Sequence, residues 1–180
     1  MRERCDVASA PQGLTLRTNR DRRNWWQSRW IRRSLLVVPA ALVVLALLNT
    51  FGQRPQATVT RTPEARLTVV APVHARSGLI YAARFRVDAI SELKNATLIL
   101  DPGWAEGYTV NGQAPQPLTQ GSANGKIDFG FGHVPAGKHL TFWLSLQINP
   151  TNIGRHRQDV SLYDGRTLIS TVHRTVTIFP

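Results

Sequence analysis

The sequence predicts an all-β fold, an immunoglobulin-like β-sandwich of about eight strands, preceded by one N-terminal transmembrane α-helix. Three observations carry that prediction. An uncharged and strongly apolar run of 18 residues, Ser34 to Phe51, follows an arginine-rich stretch. Period-two alternation of apolar and polar residues recurs through 65–180, the pattern of half-buried strands. Turn dipeptides of the hairpin type, Asn111-Gly112, Asn124-Gly125 and Asp164-Gly165, punctuate the same stretch. The length of 180 residues allows one ordinary domain with extras, and the single cysteine excludes an internal disulfide framework or a Cys-rich zinc site.

Residues 1–33 read as a basic cytoplasmic and juxtamembrane segment. They hold nine Arg against three acids, more than half of the net charge of +11. The run 34–51 comes next, as a transmembrane signal anchor. As a helix it would rise about 27 Å, close to the roughly 30 Å hydrocarbon core of a bilayer. Buried soluble helices rarely run this far without a polar face. Pro39 falls in the second turn and is tolerated in a membrane helix. Seven Arg precede the run closely and only Arg54, Arg61 and Arg66 come closely after it. Cationic flanks stay cytoplasmic, so the N-terminus is expected inside and the C-terminal part outside, in the periplasm or the extracellular space.

Arg22, Arg23, Trp25, Trp26, Arg29, Trp30, Arg32 and Arg33 are the expected membrane-interface residues: the guanidiniums meet anionic lipid and the indoles sit at headgroup level. The same Arg and Trp set could bind nucleic acid, but a topology signal accounts for it more simply. Arg32-Arg33-Ser34-Leu35-Leu36 resembles the core of a twin-arginine export signal. Ile31 stands where that motif usually has Ser or Thr, and no convincing small-x-small cleavage site comes after it. An uncleaved anchor is the expectation.

Residues 52–64 contain two prolines and no apolar periodicity, and read as a tether. The domain proper is expected over 65–180, with strands at 66–71, 79–89, 95–100, 107–111, 126–131, 139–148, 157–163 and 167–179. In the second, Tyr81, Ala83, Phe85, Val87 and Ala89 share one face, and Arg84, Arg86 and Asp88 the other. In the sixth, Leu140, Phe142, Leu144, Leu146 and Ile148 oppose His139, Thr141, Trp143, Ser145 and Gln147. Arg174 interrupts the apolar face of the last strand, which predicts a bulge near 170–174 or two short strands. One apolar face per strand means two sheets packed face to face. If consecutive strands alternate in direction, the 101–106 and 149–156 loops fall at opposite ends of the sandwich.

The stretch Gly125-Lys-Ile-Asp-Phe-Gly-Phe-Gly132-His-Val-Pro-Ala-Gly137-Lys-His-Leu-Thr-Phe, with Asn152-Ile-Gly-Arg-His-Arg-Gln-Asp-Val-Ser-Leu after it, resembles bacterial extracytoplasmic Ig-like modules of the DUF11/CARDB type. The resemblance covers about Leu93–Asp164. It implies a surface β-sandwich, and it offers no catalytic residue.

Chemistry is sparse. His74, His133, His139, His156 and His173 lack the spacing of a zinc site, and neither a nucleophile elbow nor a phosphate loop is present. No cofactor and no enzymatic activity are expected. Exposed Trp, Tyr and Arg are preferred anchors of binding surfaces. The candidate binding residues are therefore Trp104 and Tyr108 beside the 101–106 turn, Trp143 on the outward face of its strand, and Asn152, Arg155 and Arg157 in a polar loop. Trp104 capping the sandwich core is the competing reading. The expected function is that of a single-pass envelope protein presenting its sandwich to a protein or the cell wall, as an accessory to a membrane complex. Its partners would be the lipid bilayer and a membrane or envelope protein, with no nucleic acid. Carbohydrate or small-ligand binding through Trp104 and Tyr108 is the alternative.

Overall fold

The computed structural model describes residues 21–47 and 53–180, with side chains from residue 33 onward. The chain divides into two units, Met1–Thr50 and Phe51–Pro180.

In the first unit, helix α1 runs over Asp21–Leu47 and continues through Pro39. Leu35, Leu36, Val37, Val38 and Leu47 are exposed along it. Among the described residues no helix is long and apolar enough to cross a membrane. The transmembrane helix expected over 34–51 is thus not found there. Its described part, Ser34–Leu47, rises only about 21 Å at 1.5 Å per residue, and Leu48, Asn49, Thr50 and Phe51 lie outside the described residues. Arg22, Arg23, Trp25, Trp26, Arg29, Trp30 and Arg32 fall on the helical backbone, with side chains outside the described residues, and Arg33 is exposed.

The second unit is all-β, as expected, but is built from more strands than eight. In chain order they are β1 (Pro55–Arg61), β2 (Ala65–Pro72), β3 (His74–Arg76), β4 (Ile80–Ala89), β5 (Leu93–Leu100), β6 (Tyr108–Ala114), β7 (Thr119–Ala123), β8 (Lys126–Val134), β9 (His139–Ile148), β10 (Gly154–Arg157), β11 (Val160–Asp164), β12 (Thr167–Val172) and β13 (Thr175–Phe179). One sheet has the order β1-β2-β4-β9-β6 and the other β12-β11-β5-β8-β7. A small third sheet, β10-β13-β3, joins β13 to β3 in parallel.

The two large sheets bury their apolar faces against each other. Phe142 on β9 packs against Phe85 of its own sheet and against Phe129 and Phe131 of the facing one, with ring centroids 4.9 to 5.9 Å apart. Alternation in β4 and β9 is as read from the sequence: Ala83, Phe85, Val87, Phe142, Leu144 and Leu146 are fully buried, while Arg84, Arg86 and Trp143 point outward.

Two of the three hairpin signals are turns. Asn124 and Gly125, at φ 53° and 75°, join β7 to β8 through a pair of positive-φ residues, the type I′ requirement. Gly165 and Arg166 turn between Asp164 and Thr167. Asn111-Gly112 is instead a bulge within β6, where the register against β9 shifts between Val110 and Gly112.

The segment read as a tether contains β1, which pairs with β2 along its full length. It was illegible because an edge strand exposed on most of its length carries no apolar period. The long last strand divides into β12 and β13, one of the two forms expected. The break falls where Arg174 turns inward and donates to the carbonyls of Ala71 and Pro72.

The overlooked strand β7 has a larger consequence. It adds one traverse of the sandwich between β6 and β8, which reverses the direction expected of the strands after it. The 101–106 and 149–156 segments, expected at opposite ends, therefore meet at one end. Tyr108 pairs with Ile148 at the start of β6, and the Asn149 amide donates to the Gly107 carbonyl.

Candidate functional site

Two places gather the residues singled out in the sequence. The first is the end of the sandwich where 101–108 meets 149–159. Asn152, half-buried, donates through Nδ2 to the carbonyls of Glu106 and Gly107 at 3.4 and 3.1 Å. Gly103 lies against β10, and a Cβ there would collide with the Arg157 carbonyl. Arg155 is exposed on β10, paired with Thr177. The Arg157 guanidinium is exposed and holds Asp159 at 2.7 Å. An open groove of about 450 Å³ lies here, lined by Asp101, Glu106, Arg155, His156 and Arg157 among others.

Trp104 and Tyr108 point the other way. Trp104 is 0% exposed and Tyr108 9%. Trp104 meets the Phe85 ring edge-on at 5.2 Å, and the Arg174 guanidinium sits over the indole, 5.2 Å from its centroid. Behind it, the Gln158 amide reaches the Gly103 carbonyl and the Tyr108 and Tyr81 hydroxyls at 3.1, 3.1 and 3.4 Å. Burial pushes both tyrosine hydroxyls above their ordinary range and the Arg174 guanidinium below its own. The competing reading of Trp104 as a core cap is the one the geometry bears out, and the tryptophan offers no face to a ligand.

Asp159 ties this end together. It is 5% exposed and accepts hydrogen bonds from Arg157, His173 and the Arg174 amide. Burial opposes its charge, but those three donors outweigh burial and hold the carboxyl below the usual carboxylate range. The His173–Asp159 pair orients an imidazole, yet among the described residues no Ser, Thr or Cys side chain bonds that ring. Nor is there, among the described residues, a group of three or more His, Cys, Asp or Glu placed to hold a metal.

The second place is the outer face of the β1-β2-β4-β9-β6 sheet. Trp143 is 44% exposed. Its neighbours across the strands are Arg84 and Ala114, and the Arg84 guanidinium lies 5.2 Å over its ring. Opposite residues in adjacent strands share a face, so Ala57, Val70, Arg84, Trp143 and Ala114 form one row across all five strands. Trp143 was legible from alternation; its partner Arg84 was on the same outward face but was not singled out. Gln158, Asp159 and Arg174, which organise the other end, were missed as a group because their contacts span up to 103 residues of sequence.

No family model and no curated protein matches the chain, so the DUF11/CARDB resemblance gains no further support. Among solved structures the sandwich is similar to a non-cellulosomal cohesin of the archaeon Archaeoglobus fulgidus, at 12% identity and a TM-score of 0.40, covering 71% of this chain and 92% of that one. It is also similar to CaCohA2 of Clostridium acetobutylicum, at 15% identity and a TM-score of 0.42, covering 62% and 88%. A third likeness, at 9% identity and a TM-score of 0.40, is to AvmM, described as catalysing macrocyclization in alchivemycin A biosynthesis; it covers 72% of this chain and 90% of that one. Likenesses this distant assign no activity and no partner to the chain.

Proposed function

We propose that this chain is a non-enzymatic envelope protein that presents its β-sandwich to a protein partner, through the outer face of the β1-β2-β4-β9-β6 sheet. The observation that carries the reading is the large indole of Trp143, 44% exposed in the middle of a regular sheet face and covered on one side by Arg84. Trp and Arg are the residues most enriched among interface hot spots. At about 4.8 Å between strands and 3.4 Å per residue, five strands of this length offer roughly 700 Å². That is near the ~800 Å² each partner contributes to a standard interface.

The proposal includes a membrane location, with residues 34–51 as the anchor and the sandwich outside the cytoplasm, where it would serve a membrane complex. Support comes from the charge-free run continuing in sequence past Leu47 to Phe51, its apolar side chains exposed along α1, and the arginine-rich flank before it. The alternative of a carbohydrate or small-ligand site on Trp104 and Tyr108 is disfavoured by their burial.

A photoreactive residue at Ala82, exposed on β4 two residues from Arg84 on the same outward face as Trp143, tests the reading in intact cells with the indole left in place. The control is at Leu168 on the exposed part of β12. A discrete protein adduct from 82 and none from 168 supports it. No protein adduct from 82 contradicts it.

A further inference from the structure

The sheet face around Trp143 has a charge pattern that specifies the partner's chemistry. Arg61 on β1 lies directly opposite Arg66 on β2, and Arg66 lies opposite Asp88 on β4. In the row containing Trp143 stands Arg84, and between the two rows stands Arg86, bonded to Asp88 at 2.8 Å. Leu67 and Val87, the residues alternating with these, are fully buried, which fixes all four arginines on the outward side. The face thus carries Arg61, Arg66, Arg84 and Arg86 against the single acid Asp88, a balance of +3 from those five residues. From strand and residue spacings, the whole cluster with Trp143 fits within roughly 14 Å by 14 Å.

Two features make this more than a solvated charged face. Like charges directly opposite one another in antiparallel strands are destabilising, and Arg61 and Arg66 stand in that relation. Neither they nor Arg84 make a salt bridge among the described residues. An apolar group sits among them: Val59, in the row of Arg86, is 45% exposed. A surface that accepts internal repulsion around an exposed indole is matched by carboxylates supplied from outside.

We infer that the partner docks an acidic segment of protein on this face, with its carboxylates on Arg61, Arg66 and Arg84 and an apolar side chain against Trp143. The inference rests on the proposed docking role of this sheet and adds the partner's charge. A protein segment is favoured over a lipid surface because Val59 and Trp143 share one face with the arginines, whereas an element lying in the headgroup layer separates an apolar face from a basic one. Nucleic acid would call for more phosphate-binding cations than a net +3.

The test uses the full chain in its own membranes, carrying the photoreactive residue at 82 beside an intact Trp143, with and without Arg61→Glu. That substitution places a carboxylate opposite Arg66, so it relieves the repulsion within the face. The expected result is a protein adduct whose crosslinked peptide is net acidic, formed about fivefold less in Arg61→Glu, the equivalent of about one exposed charge pair. The thermal midpoint of Arg61→Glu should be unchanged or raised, which separates lost docking from lost folding. Arg61→Lys should keep the adduct, and raising salt from about 0.1 M to 1 M, which shortens screening from about 10 Å to 3 Å, should weaken it. A protein adduct on a neutral or basic peptide, or one unaffected by Arg61→Glu, overturns the acidic-partner inference and leaves the docking role standing. Adducts to lipid or nucleic acid alone, or none, overturn both.

Discussion

Trp104→Ala separates a core tryptophan from a ligand platform by magnitude. A tryptophan side chain buries about 150–250 Å², and at about 25 cal/mol per Å² this contributes roughly 4–6 kcal/mol. Alanine keeps only a small part of that contact. Large-to-small replacements of buried aromatics cost about 3–5 kcal/mol, and the edge-on contact with Phe85 at 5.2 Å adds about 0.5–1.5 kcal/mol. The lost stacking under Arg174 also leaves a buried cation beside a cavity. We expect a loss of about 5 kcal/mol, near the top of that range. With a urea slope of about 2 kcal/mol/M the unfolding midpoint falls by about 2.5 M. Equilibrium urea unfolding followed by circular dichroism measures it. A loss below about 1 kcal/mol, the ordinary cost of a surface change, would refute the core assignment and restore Trp104 as a candidate contact.

The same end of the sandwich and the sheet face give further expectations. Asp159→Asn removes the charge from three hydrogen bonds and should cost about 2 kcal/mol at pH 7. The folded carboxyl titrates below its ordinary value, so its contribution is complete above about pH 4 and is lost as pH falls through the folded pKa. Urea midpoints of parent and variant should therefore converge below that pH, and a constant gap would contradict the assignment. Gly103→Ala drives a methyl group into the Arg157 carbonyl and should cost about 3 kcal/mol by forcing two backbones apart; a neutral result in the same assay would mean that the two segments do not meet. Trp143→Ala should leave the melting temperature nearly unchanged, with a cost of about 1 kcal/mol or less for an exposed cation–π pair, while abolishing partner recovery from detergent extracts.

The parts of the fold legible in the sequence were those with a strong period. β4 and β9 are ten residues each with alternating burial, and alternation alone placed Trp143 outward and Phe142 inward. The illegible parts were edge strands. β7, Thr-Gln-Gly-Ser-Ala, has no apolar residue larger than alanine and is held by its pairing with β8. Missing it reversed the expected end for Arg155 and Arg157 and separated segments that in fact touch. Trp104 and Trp143 show the same limit for the site. Local sequence marks both as aromatics near polar residues, and only the long-range contacts with Phe85 and Arg174 decide that the first is core. Arg174 was visible as an interruption of an apolar face, but its destination on the Ala71 and Pro72 carbonyls was not.

Hydroxyl-radical footprinting of the two tryptophans, in intact cells and in the purified full chain, measures the central claim most directly. Trp143 should oxidise readily in the purified protein and be protected in cells, where its face is occupied, while Trp104 stays unreactive in both. Equal oxidation of Trp143 in the two states would contradict the account.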